Sequence, residues 1–496
     1  MSSNVYYTEG EETGRTTSCY TFGTGGTTQL NAFGSQDANF LNGDEINFFN
    51  KKNVQHTYFN LIYNSYPLYP HGNVTWPFEQ QNVVFTLNPK VSGDLLANAY
   101  LKLTMPALPV GKDAGVPDPA NPGNYLVQPH DYCYTDRLGY ALIDKITMSV
   151  NGEAIDTVYG DWLLLQNEIF ADDSIRRATD SIINAGQIQG DGVLSESPTT
   201  CQTPIPLYIP LSFFFSRNHY HTTSKVNRFK PFFYTCASYE QIISFSVVFT
   251  KQAFFTNYTA SPLQLDAIYL VTEEIVLTPA ERNYYRQNPI TSVVDAIEIQ
   301  PKLDIDEQPG NEAGDTGPYP NKFKDFLSCN RPVKSIHFFA RRYHYETDMN
   351  LPFWRYRFDF SSQAESPNPA SSVPADVPYD PYKEDANQVV ERSELFIKNE
   401  SRYSDNSPNY LKNIITIIHE LNPPIRNIYN YCFALRPKDP VPNGSVNFSQ
   451  LQPRDTLVPG SIYYDKAQKH NYIINLFYVA IKIIEYQNGS VRTRFI

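Results

Sequence analysis

Short segments in which apolar and polar residues alternate recur along most of this chain. That two-residue period, the signature of a half-buried pleated strand, constrains the fold more than any other feature. Strand-like stretches occupy 82–87, 97–105, 142–150, 242–250, 265–271, 293–299, 333–340, 356–360, 414–418, 429–435 and 472–484, each rich in Val, Ile, Tyr, Phe or Thr. Asn151-Gly152, between Val150 and Glu153, predicts a tight hairpin, because a type I′ turn needs positive φ at both central residues. Helical signals are few. One covers 159–169, with Gly160-Asp161 at its start and Trp162, Leu165 and Ile169 along it. The other begins at Thr278-Pro279-Ala280-Glu281, a cap followed by Pro at the first helical position, and predicts a short helix to Gln287. Proline- and Asp-rich stretches at 106–129, 304–321, 361–385 and 438–469 read as long loops. The expected class is all-β, with short helices, long loops and a sandwich or jelly-roll architecture.

Composition narrows the function. Aromatic residues make up 14% of the 496 positions and charged residues only 19%, which is too apolar for a disordered chain. The net charge of -12, and the absence of a basic run near the first residues, argue against a nucleic-acid binder that works by neutralising phosphates. The N-terminal residues carry neither a basic nor an apolar signal segment, so the expectation is a soluble, cytosolic product. The longest apolar stretch, 207–215, is far short of a membrane span. Six cysteines (Cys19, Cys133, Cys201, Cys236, Cys329, Cys432) stand at long, irregular gaps and read as buried, reduced thiols.

Each constellation that could carry chemistry has a plainer reading. Gly23-Thr24-Gly25-Gly26 lacks the strand, helix and Lys of a phosphate loop. His219-Tyr220-His221 would place two imidazoles on one face, but no Cys or His nearby completes a metal site. Asp172-Asp173 and Asp304-Ile305-Asp306-Glu307 could supply paired carboxylates, or could be solvated loops. Arg341-Arg342-Tyr343-His344-Tyr345 and Trp354-Arg355-Tyr356-Arg357 interleave bases with aromatics. That pattern suits a single-strand binder, or a strand with one buried face and one interface face. Six glycosylation sequons, at Asn73, Asn257, Asn399, Asn443, Asn447 and Asn488, read as chance occurrences. No catalytic, cofactor-binding or metal-binding residue is assigned.

Several ordered stretches resemble the major capsid proteins of nucleocytoplasmic large DNA viruses. The nearest branches are the algal-virus and giant-amoebal-virus ones of a double jelly-roll family that includes iridovirus-like members. The stretches are 29–37 with 40–43, 46–49 and 56–59; Gly93-Asp94-Leu95-Leu96; Leu138-Gly139-Tyr140 with Tyr159-Gly160-Asp161-Trp162; Ile209-Pro210-Leu211-Ser212 through Asn218; Glu281-Arg282; and Tyr431-Cys432-Phe433-Ala434-Leu435-Arg436-Pro437 through Ser449. Two stretches depart from the family pattern. Asn53-Val54-Gln55 replaces a basic, aromatic cluster, and 225–235 replaces an apolar strand.

The resemblance implies a double jelly roll of two eight-stranded antiparallel sandwiches side by side. The expected organisation is an N-terminal arm (1–24), a first jelly roll (25–277), a helical linker (278–288) and a second jelly roll (289–496). It further implies a structural role without catalysis. Homotrimeric, pseudo-hexameric capsomers would tile an icosahedral shell over an internal membrane, assembled in the host cytoplasm. The implied partners are neighbouring capsomers, minor capsid and penton proteins and the inner membrane, through 1–58, with no direct contact to nucleic acid. The loops 106–129 and 361–385 would form towers or clasps between capsomers. A transient scaffold of virion assembly is the alternative reading; a β-sandwich glycoside hydrolase and a lectin are remoter ones.

Overall fold

Alternate burial along single strands accounts for the layers. In the computed structural model, Val83, Phe85 and Leu87 are buried while Val84 and Thr86 are exposed, and Ile243, Phe245, Val247 and Phe249 point inward from a partner strand. The structure describes residues 56–67, 74–75, 83–112, 114, 116–117, 123, 125–127, 131–185, 203–217, 230–265, 267–301, 303–305, 321–342, 358, 360, 389–398, 400–403, 407–451, 456–462 and 472–494. The chain divides into two units, Met1–Thr57 and Tyr58–Ile496. All the described strands and helices lie in the second unit.

Its first eight main strands are β1 (Phe59–Pro67), β2 (Val83–Leu87), β3 (Leu95–Met105), β4 (Ile143–Val150), β5 (Glu153–Tyr159), β6 (Ile205–Pro210), β7 (Ile243–Phe249) and β8 (Ile268–Leu277). They form two antiparallel sheets, ordered β1-β8-β3-β6 and β2-β7-β4-β5. Interleaving of early and late strands in this way defines a jelly roll. The β4–β5 turn has Asn151 at φ 49° and Gly152 at φ 88°, as a type I′ hairpin requires. Between β5 and β6 lie helices α1 (Gly160–Ile169) and α2 (Asp173–Ile182). Helix α3 (Pro279–Gln287) follows β8, and the Thr278 hydroxyl accepts the Glu281 amide at 3.4 Å as its cap.

The second set repeats the first. β9 (Ile290–Ile299), β10 (Asn321–Phe326), β11 (Pro332–Arg342), β12 (Val390–Ser393, continued by Phe396–Ile397), β13 (Glu400–Ser401), β14 (Tyr429–Cys432), β15 (Thr456–Ile462) and β16 (Tyr472–Gln487) form sheets ordered β9-β16-β11-β14 and β10-β15-β12-β13. Adding eight to each label of the first sandwich reproduces the second. The correspondence includes the helical insertion after the fifth strand, here a π-helical turn (Tyr410–Ile414) running into α4 (Ile415–Ile418). A final strand, β17 (Ser490–Arg494), pairs with β16 across an Asn488-Gly489 turn. Buried side chains of both sandwiches belong to one continuous apolar cluster. The architecture is a double jelly roll.

Two sequence expectations are corrected. The β-branched run at 414–418 is helical, because Leu411 and Ile415, four residues apart, both turn into the core. The stretch 438–469, expected to be loop, contains β15; Pro459 and Gly460 read as turn residues yet sit within that strand. Helix α2 begins where paired carboxylates were considered, with Asp172 at its cap position and Asp173 in its first turn. Within 356–360, Phe358 and Phe360 are described and lie outside any strand, and the other three positions lie outside the described residues.

Close approach at the start of α1 sets up a stability test. A Cβ on Gly160 would overlap the carbonyl oxygen of Ile143 and lie 2.8 Å from that of Tyr140. Gly160→Ala is expected to destabilise the protein by about 3 kcal/mol, the upper end of overpacking costs, read as a lowered thermal midpoint.

Candidate functional site: the junction and the open faces

The first sandwich buries α1 against the second. Trp162 stands 5.8 Å from His337 of β11 and 5.9 Å from Phe477 of β16, ring centre to ring centre, and Phe170 meets His337 edge-on at 5.3 Å. His337 and Phe477 are paired across the sheet and share a face. The opposite face of that sheet looks into the second sandwich's own core, where the Tyr431 hydroxyl lies 2.7 Å from that of Ser393. The buried imidazole of His337 is held neutral. Its Nδ1 donates to Asn430 Oδ1 at 2.7 Å, and Nε2 accepts from the Ser335 hydroxyl at 2.8 Å. Burial lowers its pKa to about 4.

Charges ring this aromatic contact. Arg341 Nη2 donates to Asp161 at 2.8 Å. Arg426 pairs with Glu168 and lies 3.4 Å from Asp136. In both cases the second sandwich supplies the guanidinium and the first supplies the acid. The reverse arrangement occurs at Asp295 of β9, which meets Arg217 at 3.6 Å and its own sandwich's Lys334 at 3.0 Å. Lys482 donates to the Ile155 carbonyl at 2.6 Å, and burial lowers the pKa of its ammonium. Burial raises the Asp156 carboxyl, with Arg217 opposing it. A cavity of about 360 Å³ opens between β5 and β9; of its lining charges, Arg331 and Glu298 are paired at 2.7 Å.

Most residues singled out from sequence are structural or lie outside the described residues. The glycine run, His219, His221, Tyr343–Tyr345, 354–357, Asp306, Glu307, Asn73, Asn399, Cys19 and Cys201 are in the latter group. Asp304 lies in a short strand, Leu303–Ile305, that pairs with β16. Arg341 is wholly buried in the junction, so it serves neither a nucleic acid nor an outer interface. Cys133, Cys236, Cys329 and Cys432 are buried free thiols, and burial raises Cys236 and Cys329 to about 12. The Asn257 side chain accepts the Cys133 amide and donates to the Asp131 carbonyl; Asn443 makes a similar pair with Arg436. Among the described residues no group of three His, Cys, Asp or Glu side chains could hold a metal ion. No described helix is long and apolar enough to cross a membrane.

Sequence reading missed two apolar surfaces that stand open among the described residues. On the outer face of β1-β8-β3-β6, Leu61, Tyr63 and Tyr208 are 43%, 70% and 41% exposed. On the second sandwich, Ile414, Ile417 and Ile418 of the helical insertion are 43%, 62% and 61% exposed, with Leu435 at 74%. The spacing of the three isoleucines was the available signal: i, i+3 and i+4 form one helical face.

Two measurements test the junction. Arg426→Met strands Glu168 in an apolar setting and is expected to cost about 3–5 kcal/mol, whereas Arg426→Met with Glu168→Leu recovers most of that loss, both read by thermal unfolding. His337 is neutral when folded but would protonate near pH 6.5 when unfolded, so between pH 6.5 and 4 the unfolded chain binds more protons. Its contribution is therefore complete above pH 6.5 and falls as pH drops towards 4, by about 3 kcal/mol in all. The difference between the pH profiles of the native protein and His337→Phe measures it.

Comparison with known proteins places this geometry. A profile of the major capsid protein N-terminus matches residues 48–226, and one of the large eukaryotic DNA virus major capsid protein matches 281–490. Capsid protein 1 of Acanthamoeba polyphaga mimivirus is 22% identical over 336 residues, 65% of this chain and 49% of that protein. The chain thus spans about half the length of that relative. The capsid structure of PBCV-1 virus superposes with a TM-score of 0.62 at 14% identity, covering 91% of this chain and 100% of that one. The Faustovirus major capsid protein does so at 0.60 and 11%, covering 89% and 92%. These relatives are structural proteins rather than enzymes. Two successive profiles, matched in order onto two successive jelly rolls, establish that the chain belongs to the major capsid protein family of large eukaryotic DNA viruses.

Proposed function

We propose that the protein is the building block of a viral shell, acting through assembly geometry rather than through chemistry at a catalytic, cofactor or metal site. The observation that carries this reading is the fused pair of jelly rolls with an open apolar face on each sandwich. Exposed apolar surface of this kind marks association, and interfaces of obligate assemblies bury about 2,000–5,000 Å². The working unit is a homotrimer in which six sandwiches make a pseudo-hexameric capsomer. Capsomers tile an icosahedral shell over an internal membrane, next to minor capsid and penton proteins. Assembly takes place in the host cytoplasm, and the protein resides in the virion. The functional division follows the expected one: arm 1–24, first jelly roll 25–277, linker 278–288 and second jelly roll 289–496, with 1–58 towards the membrane.

Mass in solution is the direct test. Light scattering on the purified protein is expected to give three times 56.6 kDa. A monomer at every concentration would sink the proposal. In purified mature particles the chain is expected to be the most abundant protein; its loss on maturation would point instead to a temporary lattice.

A further inference from the structure

The internal repeat makes the chain its own template for how a sandwich covers a helix. In the first sandwich, the insertion between the fifth and sixth strands is α1. It is covered by the outer face of the sheet β9-β16-β11-β14, through the third strand of the second sandwich (His337) and the eighth (Phe477). Every residue of α1 except Asp161 is buried, between that face and the helix's own sandwich. The corresponding insertion in the second sandwich holds Leu411 and Ile415 against its own core but leaves Ile414, Ile417 and Ile418 open.

The covering face has an open counterpart as well. Its equivalent in the first sandwich is the outer face of β1-β8-β3-β6. There Ala99, Leu101 and Leu103 of β3 point inward, while Asn98, Tyr100 and Lys102 point out. Tyr269 and Val271 of β8 lie on that same outer side, paired with Lys102 and Tyr100, and so do Leu61 and Tyr63 of β1. One chain therefore carries a finished junction, plus a second copy of each half with apolar side chains still open; on the sheet half, Leu95, Ala97, Ile275 and Leu277 at one end are already covered by Phe232, Tyr234 and Tyr285. The two open halves match in character: an isoleucine-faced helix, and a sheet surface of Tyr, Leu and Val edged by Lys102 and Glu273.

We infer that the contact between subunits repeats the contact within the chain: the helical-insertion face of one copy (Ile414, Ile417, Ile418) seats on the outer β1-β8-β3-β6 face of the next, on Lys102 of β3 and Tyr269 and Val271 of β8, flanked by Leu61 and Tyr63 of β1. The inference rests on the self-assembly proposed above and names the surfaces that perform it. Because the two surfaces differ, the contact is head-to-tail. Each added copy again presents one free helix face and one free sheet face, so growth stops only when a ring closes.

Complementation between two variants tests this. Ile417→Asp with Ile418→Asp removes the helix half, and Leu61→Asp with Tyr63→Asp removes the sheet half. All four positions are exposed, so thermal midpoints close to the native value are expected. Each variant alone is expected to sediment as a monomer. Mixed one to one, they should form a dimer of twice 56.6 kDa and nothing larger, since only one intact helix face and one intact sheet face can meet. Native-sized assemblies from either variant alone would overturn the inference while leaving self-assembly standing. Monomers in the mixture would overturn the head-to-tail pairing. A native protein that never associates would refute both the inference and the proposal beneath it.

Discussion

Burial of Trp162 between His337 and Phe477 joins two jelly rolls into one body, and the rest of the molecule depends on that joint being rigid. A fully buried aromatic side chain contributes about 2–3 kcal/mol through area alone. Aromatic surface by itself is permissive about angle, because one ring slides over another at small cost. The surrounding charges are not permissive. Arg341 must meet Asp161, Arg426 must meet Glu168 and Arg217 must meet Asp295, each with little water to substitute. Buried pairs of this kind add little net stability over apolar residues of the same shape, but a misaligned pair is costly. The apolar contact thus supplies the energy of the joint, and the ion pairs set its angle.

A fixed angle would matter for the shell subunit proposed above. In an extended lattice a small error at each joint accumulates with every copy added, so play within the subunit would spread through the assembly. The buried neutral imidazole serves the same end. His337 spans the polar groups of Ser335 and Asn430 without bringing a charge into the joint, and its edge remains available to Trp162 and Phe170. A Phe there would leave Ser335 and Asn430 without those bonds, and a Lys would bury a charge.

Much of the strand content was legible because strand periodicity is a local property. The alternation at 83–87, 143–150 and 243–249, the Asn151-Gly152 turn and the capped start of α3 each need only neighbouring residues to declare themselves. Strand β15 was hidden by Pro459-Gly460, which signals a turn wherever tertiary pairing does not override it. Strand β1 was missed because Asn60, Asn64 and Pro67 blur its alternation. It is held by partners distant in sequence: Asn64 and Tyr66 both donate to the buried Glu274 at 2.8 Å. The joint was less legible still. Nothing in the local sequence says that Arg341 seeks Asp161, 180 positions away, rather than a phosphate or solvent.

In the run Ile414-Ile415-Thr416-Ile417-Ile418, local preference and tertiary structure oppose each other directly. By local preference it belongs in a strand, since β-branched side chains lose rotamer freedom in a helix. The fold nevertheless makes it helical, opens its start with a π turn, and leaves three of its isoleucines in contact with water. A chain under selection for stability alone would replace those exposed isoleucines with polar helix formers, because both propensity and solvation favour the exchange. Conflict between local preference and global fold tends to persist where another requirement opposes its removal. At this position the topological twin of the segment, α1, is covered by a neighbouring sandwich, and its apolar residues are satisfied there. The exposed isoleucines are unfavourable for an isolated chain; in the assembly inferred above, which repeats the internal joint, they would form the apolar half of a contact.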